Sequence, residues 1–386
     1  MSLRCLFIVQ GEGRGHLTQA MSLRRMLGQE GHRVEEVIVG QSTRRAVPPF
    51  FAEAFEAPVT FVDSPSFVSD GDDQSVSMST TVLHELTRTP SFLDSLSAIQ
   101  AAVDRHDPDV IVNFFEPLAG VYAMWGRPDV PIVAIAHQYM FHHPAYDFPP
   151  GRRLQQWAAR TFAAVTAWGA SCRLALSLYP VSSSRPDDLV VLPPLLREDL
   201  FRQPTGRSAP FFLVYILNSG YAEQVIQWHE AHPDVRLHCF WDRPAAAPVE
   251  AYDDTLTFHQ LDDEKFLSLM ARCCGFVSTA GFESIAEAMY LGKPVQVVPV
   301  EGHYEQLCNA FDTARAEAGV RSTRFNLSRL QAFRARHATP PGPFRRWVRT
   351  SQARFVQEIE AVARARTVAS RSSVSGADVP VVETAS

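Results

Sequence analysis

The sequence predicts an α/β protein made of two doubly wound halves, each a parallel sheet with helices on its faces. Short continuous apolar runs, typical of strands buried on both faces, alternate with helical patterns, first from residue 5 and again from residue 211. A stretch rich in Pro, Ser and charged residues, 182–210, separates the two series and predicts a linker. Because ligands of such sheets bind at the carboxyl ends of the strands, we expect a binding site in a cleft between the halves.

The first half follows a strand–helix rhythm. A helical pattern runs from the glycine-rich segment 11–16 to residue 29, and a second amphipathic helix is predicted over 93–105. A polar segment without periodicity, 64–79, predicts a mobile loop near the binding face. Strands are predicted at 5–9, 34–39, 59–62, 110–112 and 132–135.

The second half repeats the rhythm, and a separate helix follows it. We predict an N-terminal domain over 1–195 and a C-terminal domain over 196–342. Residues 343–366 predict a final helix that packs back on the N-terminal domain, and the small polar residues 367–386 predict a disordered tail. Strands are predicted at 211–217, 235–240, 255–258, 275–278 and 295–298, and helices at 221–229, 265–272 and 282–291.

Composition and charge exclude several classes of protein. With 46% hydrophobic and 20% charged residues, this is an ordinary globular chain, and its 386 residues are too many for one typical core. A net charge of −6 argues against a nucleic-acid partner. The six cysteines lack metal-ligand spacing, which predicts buried reduced thiols. Because neither a signal peptide nor an uncharged apolar run of roughly 18 residues is found, we expect a cytoplasmic protein.

Two polar segments follow predicted strands and are therefore expected at the cleft. The first, Gly11-x-Gly13-x-Gly15-His16, comes between a strand and a helix. Its glycines let a ligand approach the backbone closely, but the spacing matches neither the dinucleotide-binding fingerprint nor a P-loop. His16 at a helix N-terminus suits a neutral general base, and a helix cap without a chemical role is equally consistent.

The second polar segment follows the fourth predicted strand of the second half. Gly281 permits a tight turn before a helix whose free N–H groups, with the Ser284 hydroxyl, could bind a diphosphate. Glu287 lies one turn later on the same face, where it could accept from ribose hydroxyls. Glu305 and Gln306 follow the next strand and could bind sugar hydroxyls. A solvated helix charge and an ordinary helix start explain these residues singly, but the combination favours an activated sugar.

This second segment resembles the donor-binding segment of GT-B glycosyltransferases. It is similar both to the nucleotide-sugar-dependent glycosyltransferase 1 superfamily, with its UDP-glycosyltransferases, and to the peptidoglycan N-acetylglucosaminyltransferases of family 28. Their pattern is a Gly-x-x-Ser-x-x-Glu helix, Gly-x-Pro, a strand, Pro, and an acidic/Gln-Gln pair before Asn-Ala. Thr279 departs from the plant-type pattern, which has His there. The matching positions are Gly281, Ser284, Glu287, Gly292, Pro294, Pro299, Glu305, Gln306, Asn309 and Ala310.

The resemblance implies a GT-B fold, in which two Rossmann-like domains face a cleft, and a role for each matched residue. The N-terminal domain would bind the acceptor, and the C-terminal domain a nucleotide-diphosphate sugar of the UDP-linked kind. Gly281 and Ser284 would contact the diphosphate, Glu287 the ribose, and Glu305 and Gln306 the sugar. No cofactor and no metal ion is expected.

The N-terminal loop is similar to the same families. In them the histidine after Gly13-x-Gly15 is the proposed base for the acceptor hydroxyl, which implies that role for His16. His137 and Gln138 resemble the His-Glu-Gln-Asn turn of the peptidoglycan enzymes and are acceptor-side candidates. Gln138 replaces the Glu of that turn, which puts an acid role there in doubt.

The acidic residues favour an inverting transfer. The retaining class resembles a Glu-x7-Glu pattern, but Thr279 stands eight residues before Glu287. Glu116 follows a predicted strand and is our candidate second catalytic carboxylate, either orienting His16 or touching the acceptor. A surface glutamate without a role is at least as consistent. We therefore expect an inverting hexosyltransferase that needs no metal.

Two other functions fit the same residues. A UDP-sugar 2-epimerase of the same fold would act on the donor without an acceptor. A non-catalytic nucleotide-sugar-binding protein would keep the donor site with an inert His16. The acceptor could be a small molecule, a lipid-linked molecule or a glycan. The segment that contains Trp157, Phe162 and Trp168 is rich in arginine, which fits either a peripheral helix at the inner membrane face or a core helix.

Overall fold

The computed structural model describes most of the chain. Gly13, residues 65–79 of the predicted loop and residues 376–386 of the predicted tail lie outside the described residues. The described residues are 2–12, 14–41, 51, 55–64, 90–126, 128–181, 186–205, 208–216, 220–241, 243, 246–336 and 342–375, with the side chains of residues 90, 220 and 367–375 left out.

The first sheet contains seven of the described strands, all parallel, in the order β3-β2-β1-β4-β5-β6-β7. Strands β2 and β4 lie on opposite sides of β1, so the strand order reverses there and a crevice forms at the carboxyl ends of β1 and β4. The strands are β1 (Arg4–Gln10), β2 (Arg33–Gln41), β3 (Val59–Asp63), β4 (Val110–Phe114), β5 (Ile132–Ala136), β6 (Cys172–Leu176) and β7 (Leu189–Leu192). The helices are α1 (Arg14–Gln29), α2 (Pro90–His106), α3 (Pro117–Gly126), α4 (Arg153–Thr166) and a 3₁₀ helix, His137–His142.

The second sheet has the order β10-β11-β9-β8-β12-β13-β14 and is parallel except for β10. Here the order reverses at β8, and the chain leaves the neighbouring strand β12 directly into helix α8. The strands are β8 (Phe211–Ile216), β9 (Arg236–Trp241), β10 (Val249–Ala251), β11 (Leu256–Gln260), β12 (Gly275–Ser278), β13 (Val295–Val297) and β14 (Gly319–Arg321). The helices are α5 (Glu198–Phe201), α6 (Gly220–Glu230), α7 (Asp263–Arg272), α8 (Phe282–Tyr290), α9 (Tyr304–Arg315), α10 (Ser328–Arg336) and α11 (Gly342–Ser375).

Apolar packing joins the two halves. Strands β4 and β5 are buried along their whole length, as expected for parallel strands covered on both faces. One apolar cluster contains Val112 of the first sheet, Phe276 of the second and Phe355 of α11. Burying a side chain of this size stabilises the fold by about 1.5–3 kcal/mol. The shared cluster therefore fixes how the two sheets face each other.

Helix α11 contacts both halves. Arg349 donates to the Tyr290 hydroxyl of the second half at 2.8 Å, while Glu360 pairs with His32 of the first half at 3.1 Å. The prediction ended this helix at residue 366, but it extends to Ser375. The first glycine after Gly342 is Gly376, so no helix-breaking residue stops the helix earlier.

The structure shows regular elements both in the stretch 157–181 and in the predicted linker 182–210. The first contains the end of α4 and strand β6, because Gly169, with φ 71°, turns the chain between them. The predicted linker contains β7, whose four apolar residues pair with β6, and the short helix α5. Because proline, serine and charged residues surround this apolar run, the sequence pattern did not predict a strand there.

Two expectations from composition concern the whole chain. All six cysteines are free and buried, which confirms the prediction of buried thiols. Among the described residues, no helix is both long enough and apolar enough to cross a lipid bilayer.

Candidate functional site

The two halves meet at the carboxyl ends of their sheets, in a contact that we call the seam. Gln19 Nε2 donates across it to Glu283 Oε1 at 2.6 Å, and the ring of His137 stacks on that of Phe282 with centroids 4.4 Å apart. The cleft predicted between the halves is therefore narrow here. The seam residues are His16, Gln19 and His137 of the first half and Phe282, Glu283 and Glu305 of the second.

The turn between β12 and α8 is strained and held by side chains. Ala280 has φ 67°, a left-handed conformation that costs about 1–2 kcal/mol in a residue with a Cβ. Asn309 Nδ2 donates to the Ala280 carbonyl at 3.0 Å, and Ser284 Oγ donates to the Gly281 carbonyl at 3.0 Å. Gly281 caps α8 without a side-chain hydrogen bond. The first N–H groups of α8 therefore form a helix N-terminus suited to an anion.

Glu287 is buried one turn into α8 and is paired with Arg197. Its Oε1 accepts from Arg197 Nε at 2.6 Å and its Oε2 from Nη2 at 3.0 Å. Burial alone would lower the pKa of Arg197, but the Glu287 carboxylate raises it above its ordinary value. The sequence did not reveal Arg197, which lies just before α5 and 90 residues away. The ribose role of Glu287 stays a prediction, with Arg197 as its partner.

Glu305 lies at the start of α9, against the first half. Its Oε1 is 3.4 Å from His137 Nε2, longer than a well-formed hydrogen bond but short enough for an ion pair. Burial alone would raise the pKa of Glu305, but His137, His303 and His16 lower it to about 2. An ionised carboxylate therefore faces the acceptor half, where it could accept from sugar hydroxyls.

The two amides of the predicted site differ in their surroundings. Gln306 Oε1 accepts from the Val300 backbone N–H at 2.9 Å, which closes the loop after β13. Gln138 is buried in the 3₁₀ helix, and its Oε1 has no hydrogen-bond partner among the described residues. Gln306 thus orients the loop that precedes Glu305. Its contact with a sugar stays a prediction.

His16 lies in the first turn of α1 and is almost wholly buried. Its ring stacks on Phe115 with centroids 5.5 Å apart, and Nδ1 lies 3.3 Å from Gln19 Oε1. Burial lowers the pKa of His16 to about 4, against the opposing effect of Glu305. The imidazole is therefore neutral at physiological pH, the state that a general base requires.

Glu283 was missed by the sequence reasoning. It is the second residue of α8, and its Cγ lies 3.3 Å from the place where a Cβ on Gly15 would be. The glycine therefore lets α1 and α8 approach each other, besides any contact with a ligand. Burial raises the pKa of Glu283 to about 8, so its carboxyl is mostly neutral at pH 7. Gln19, three residues after His16, was detectable from helical spacing, but its partner 264 residues away was not.

Glu116 is not the surface residue that the sequence left open, because its side chain is buried completely. Its Oε1 accepts from Ser64 Oγ at 2.6 Å and from the Leu118 backbone N–H at 3.1 Å. Burial raises the pKa of Glu116 to about 8. Within the described residues no hydrogen bond joins it to His16, whose ring partner is Gln19. A contact with the acceptor stays a prediction for Glu116.

The comparisons with known proteins agree with this geometry. The family model described as Glycosyl transferase family 1 matches residues 3–337. No curated protein sequence matches the chain.

Solved glycosyltransferases share the whole fold. CalG4, the calicheamicin glycosyltransferase, has 18% identity over 94% of this chain and 98% of its own, with a TM-score of 0.63. The spinosyn forosaminyltransferase SpnP has 15% identity over 94% and 100%, with a TM-score of 0.61. UGT2 from Phytolacca americana, complexed with UDP-2fluoro-glucose and pterostilbene, has 14% identity over 93% and 95%, with a TM-score of 0.57. The predicted GT-B fold is thus confirmed.

Removing Arg197 tests the buried ion pair. Arg197→Ala is expected to lower the free energy of unfolding by about 3 kcal/mol, because the buried Glu287 carboxylate loses its cation. Arg202→Ala is the matched control, since Arg202 pairs with Glu198 at the surface and its loss should cost at most about 0.5 kcal/mol. Urea denaturation measures both, and equal losses in the two variants would contradict the assigned pair.

Proposed function

The chain belongs to glycosyl transferase family 1, and we propose that it moves a hexose from a nucleotide-diphosphate sugar to an acceptor hydroxyl. We further propose that the transfer inverts the anomeric carbon and needs no metal ion. The observation that supports this most is the seam, where a neutral, buried His16 of one half lies beside the donor helix α8 of the other. A base and a diphosphate site on opposite halves are what transfer between two separate substrates requires.

The donor half offers a place for each part of a nucleotide sugar. The diphosphate would bind at the N-terminus of α8, with Gly281 allowing close approach and Ser284 lying in the same turn. Glu287 would accept from the ribose, and Glu305 and Gln306 would bind the sugar. A UDP-linked donor is favoured because the Phytolacca americana neighbour was solved with UDP-2fluoro-glucose.

The proposed chemistry is a single displacement. The acceptor oxygen forms a bond to the anomeric carbon while the bond from that carbon to the diphosphate oxygen breaks. His16 takes the proton of the acceptor hydroxyl, and the departing diphosphate carries the negative charge. The N–H groups of α8 stabilise that charge as it grows, so the leaving group needs no metal. His137, stacked on Phe282, closes the seam beside the reacting atoms and excludes water.

A same-fold alternative is a UDP-sugar 2-epimerase, and a simple experiment separates the two. Incubation with the donor alone would give an isomerised nucleotide sugar from an epimerase, whereas the transferase gives a new glycoside only when an acceptor is added. A protein that binds the donor and does neither would be a non-catalytic binder.

Replacing His16 tests the base. His16→Ala is expected to lower kcat by about 10²- to 10⁴-fold, with the donor KM changed less than about threefold, because a base acts only in the chemical step. Initial rates with a UDP-sugar and a transferable acceptor measure both constants. His232→Ala, at an exposed histidine remote from the seam, is the control and should keep the full rate. A His16→Ala enzyme with the wild-type kcat would refute the base assignment.

We also propose that the acceptor half contacts an anionic lipid surface at the cytoplasmic face of a membrane. Trp157 and Trp168 on and after α4 are 53% and 54% exposed, so the core-helix alternative does not account for them. Arg153 and Arg160 are exposed on the same helix, and the segment 148–186 contains no acidic residue. Exposed tryptophan beside arginine, without acidic neighbours, complements an anionic headgroup region. Six buried free thiols fit a reducing compartment.

Sedimentation with vesicles tests this surface. The protein is expected to sediment with vesicles that contain anionic phospholipid, and to do so several-fold less with neutral vesicles of the same size. Trp157→Ser should weaken the association, because it removes the largest apolar contact of α4. Equal amounts of protein in the supernatant with and without anionic vesicles would disprove the membrane contact.

A further inference from the structure

We infer that Gln19 and Glu283 position His16 across the seam, so that the base is aligned by the donor half; this rests on the proposed function. His16 Nδ1 lies 3.3 Å from Gln19 Oε1, and Gln19 Nε2 donates to Glu283 Oε1 at 2.6 Å. Three side chains thus connect the imidazole of one half to the first turn of α8 in the other.

The connection selects one tautomer of the imidazole. With its amide nitrogen donating to Glu283, Gln19 presents its carbonyl oxygen to His16. A carbonyl oxygen only accepts, so the proton of the neutral ring must be on Nδ1. The lone pair is then on Nε2, the ring nitrogen that remains for the acceptor hydroxyl. In the opposite tautomer the lone pair of Nδ1 would face the lone pair of Gln19 Oε1, which is repulsive. Nε2 would then already carry a proton and could not accept another from the acceptor hydroxyl.

Glu283 Oε1 accepts from Gln19, and its surroundings also set the charge of this carboxyl. Burial, with a smaller effect of Glu287 on the same helix, disfavours its ionisation and outweighs the opposing effects of Gln19 and Arg197, which raises the pKa of Glu283 to about 8. The uncharged carboxyl still accepts at Oε1, and it does not repel a diphosphate at the same helix N-terminus. Its Oε2 is shielded from solvent and has no hydrogen-bond partner among the described residues.

The groups that face His16 make Gln19 its orienting partner. Phe115 contacts the ring face, and Glu305 and His137 act on its charge from α9 and the 3₁₀ helix. Among the described residues, Gln19 is the one that hydrogen-bonds a nitrogen of the His16 ring. Because its second hydrogen bond goes to α8, separation of the halves would release the ring. The base is therefore aligned only when the donor half is closed on it, which limits donor hydrolysis by water.

The first test reads the tautomer directly and does not depend on activity. Long-range ¹H–¹⁵N spectra of the ring nitrogens at pH 7, with the His16 signals assigned by their loss in His16→Ala, should show the Nδ1–H form. In Gln19→Leu the Nδ1–H form should no longer dominate. A wild-type His16 that is mostly Nε2–H, or a Gln19→Leu spectrum identical to that of the wild type, would overturn the inference.

The second test is kinetic: it measures kcat and the direction in which the acid limb of the pH profile of kcat/KM moves. Gln19→Leu should lower kcat by about 10²-fold, as expected when a base is left in the wrong tautomer. The acid limb of kcat/KM should lie near pH 4 in the wild type, because the neutral base is lost only below the pKa of His16. The Gln19 hydrogen bond raises that pKa, so Gln19→Leu should move the limb lower. Gln19→Glu keeps an acceptor with more negative charge and should move the limb higher while recovering part of kcat.

A purely structural role gives different results. If Gln19 only held the halves together, Gln19→Leu would expose His16 to water and move the limb up towards pH 6.5, the ordinary value. Gln19→Glu would then recover no activity, and either result would overturn the inference.

Glu283→Gln should keep more kcat than Glu283→Leu, since it retains an acceptor for Gln19. Gln29→Leu, at an exposed glutamine of α1, is the control and should behave like the wild type. Failure of the proposed function is a separate result, since no transfer would then be seen with the wild type.

Discussion

Exclusion of water from the seam sets the charge of the groups that could take part in chemistry. His16 and Glu283 of the seam are kept neutral near pH 7 because burial penalises their charged forms, and burial within the first half does the same for Glu116. Glu305 is the contrasting case, since its pKa is lowered to about 2 in spite of burial and its carboxyl is ionised. A neutral imidazole and an ionised carboxylate therefore lie close together at the starts of α1 and α9. If the two halves separated and water entered, the pKa of His16 would rise towards its ordinary value of 6.5 and that of Glu305 towards 4.5.

Closure is held by contacts away from the chemistry as well. Asp312 of α9 accepts from the Tyr146 hydroxyl at 2.9 Å and from the Tyr179 hydroxyl at 3.0 Å, both from the first half. Helix α11 adds contacts on the far side, and the shared apolar cluster fills the space between the sheets. Substrate entry requires at least part of this contact to open, so the closed arrangement corresponds to a state with the base aligned and water excluded.

Local patterns in the sequence predicted the fold and the donor turn. Gly281, Ser284 and Glu287 are within seven residues, so their shared placement on α8 follows from helical periodicity alone. The pairing of Arg197 with Glu287 could not be predicted, because the two residues are 90 positions apart. The same holds for Glu283 and Gln19, which are 264 positions apart and meet only because the two halves pack together. Glu116 was found as a residue at a strand end, but its burial against Ser64 depends on the packing of two strands that are far apart in sequence, β3 and β4. The inverting course, the UDP-linked donor and the acceptor remain proposals.

Our central proposal is that the N-terminus of α8 binds the diphosphate of a nucleotide sugar. The most direct measurement is a thermal-shift series with a nucleotide-diphosphate sugar, its nucleoside diphosphate, its nucleoside and the free sugar, repeated for each common base. A ligand that binds the native state raises Tm, by an amount that corresponds to about 2.7 kcal/mol at 100 times its Kd. We expect a large rise in Tm for one nucleotide sugar, a smaller rise for its nucleoside diphosphate, and almost none for the nucleoside or the sugar. A nucleoside that stabilises the protein as much as its diphosphate, or a series without any shift, would contradict it.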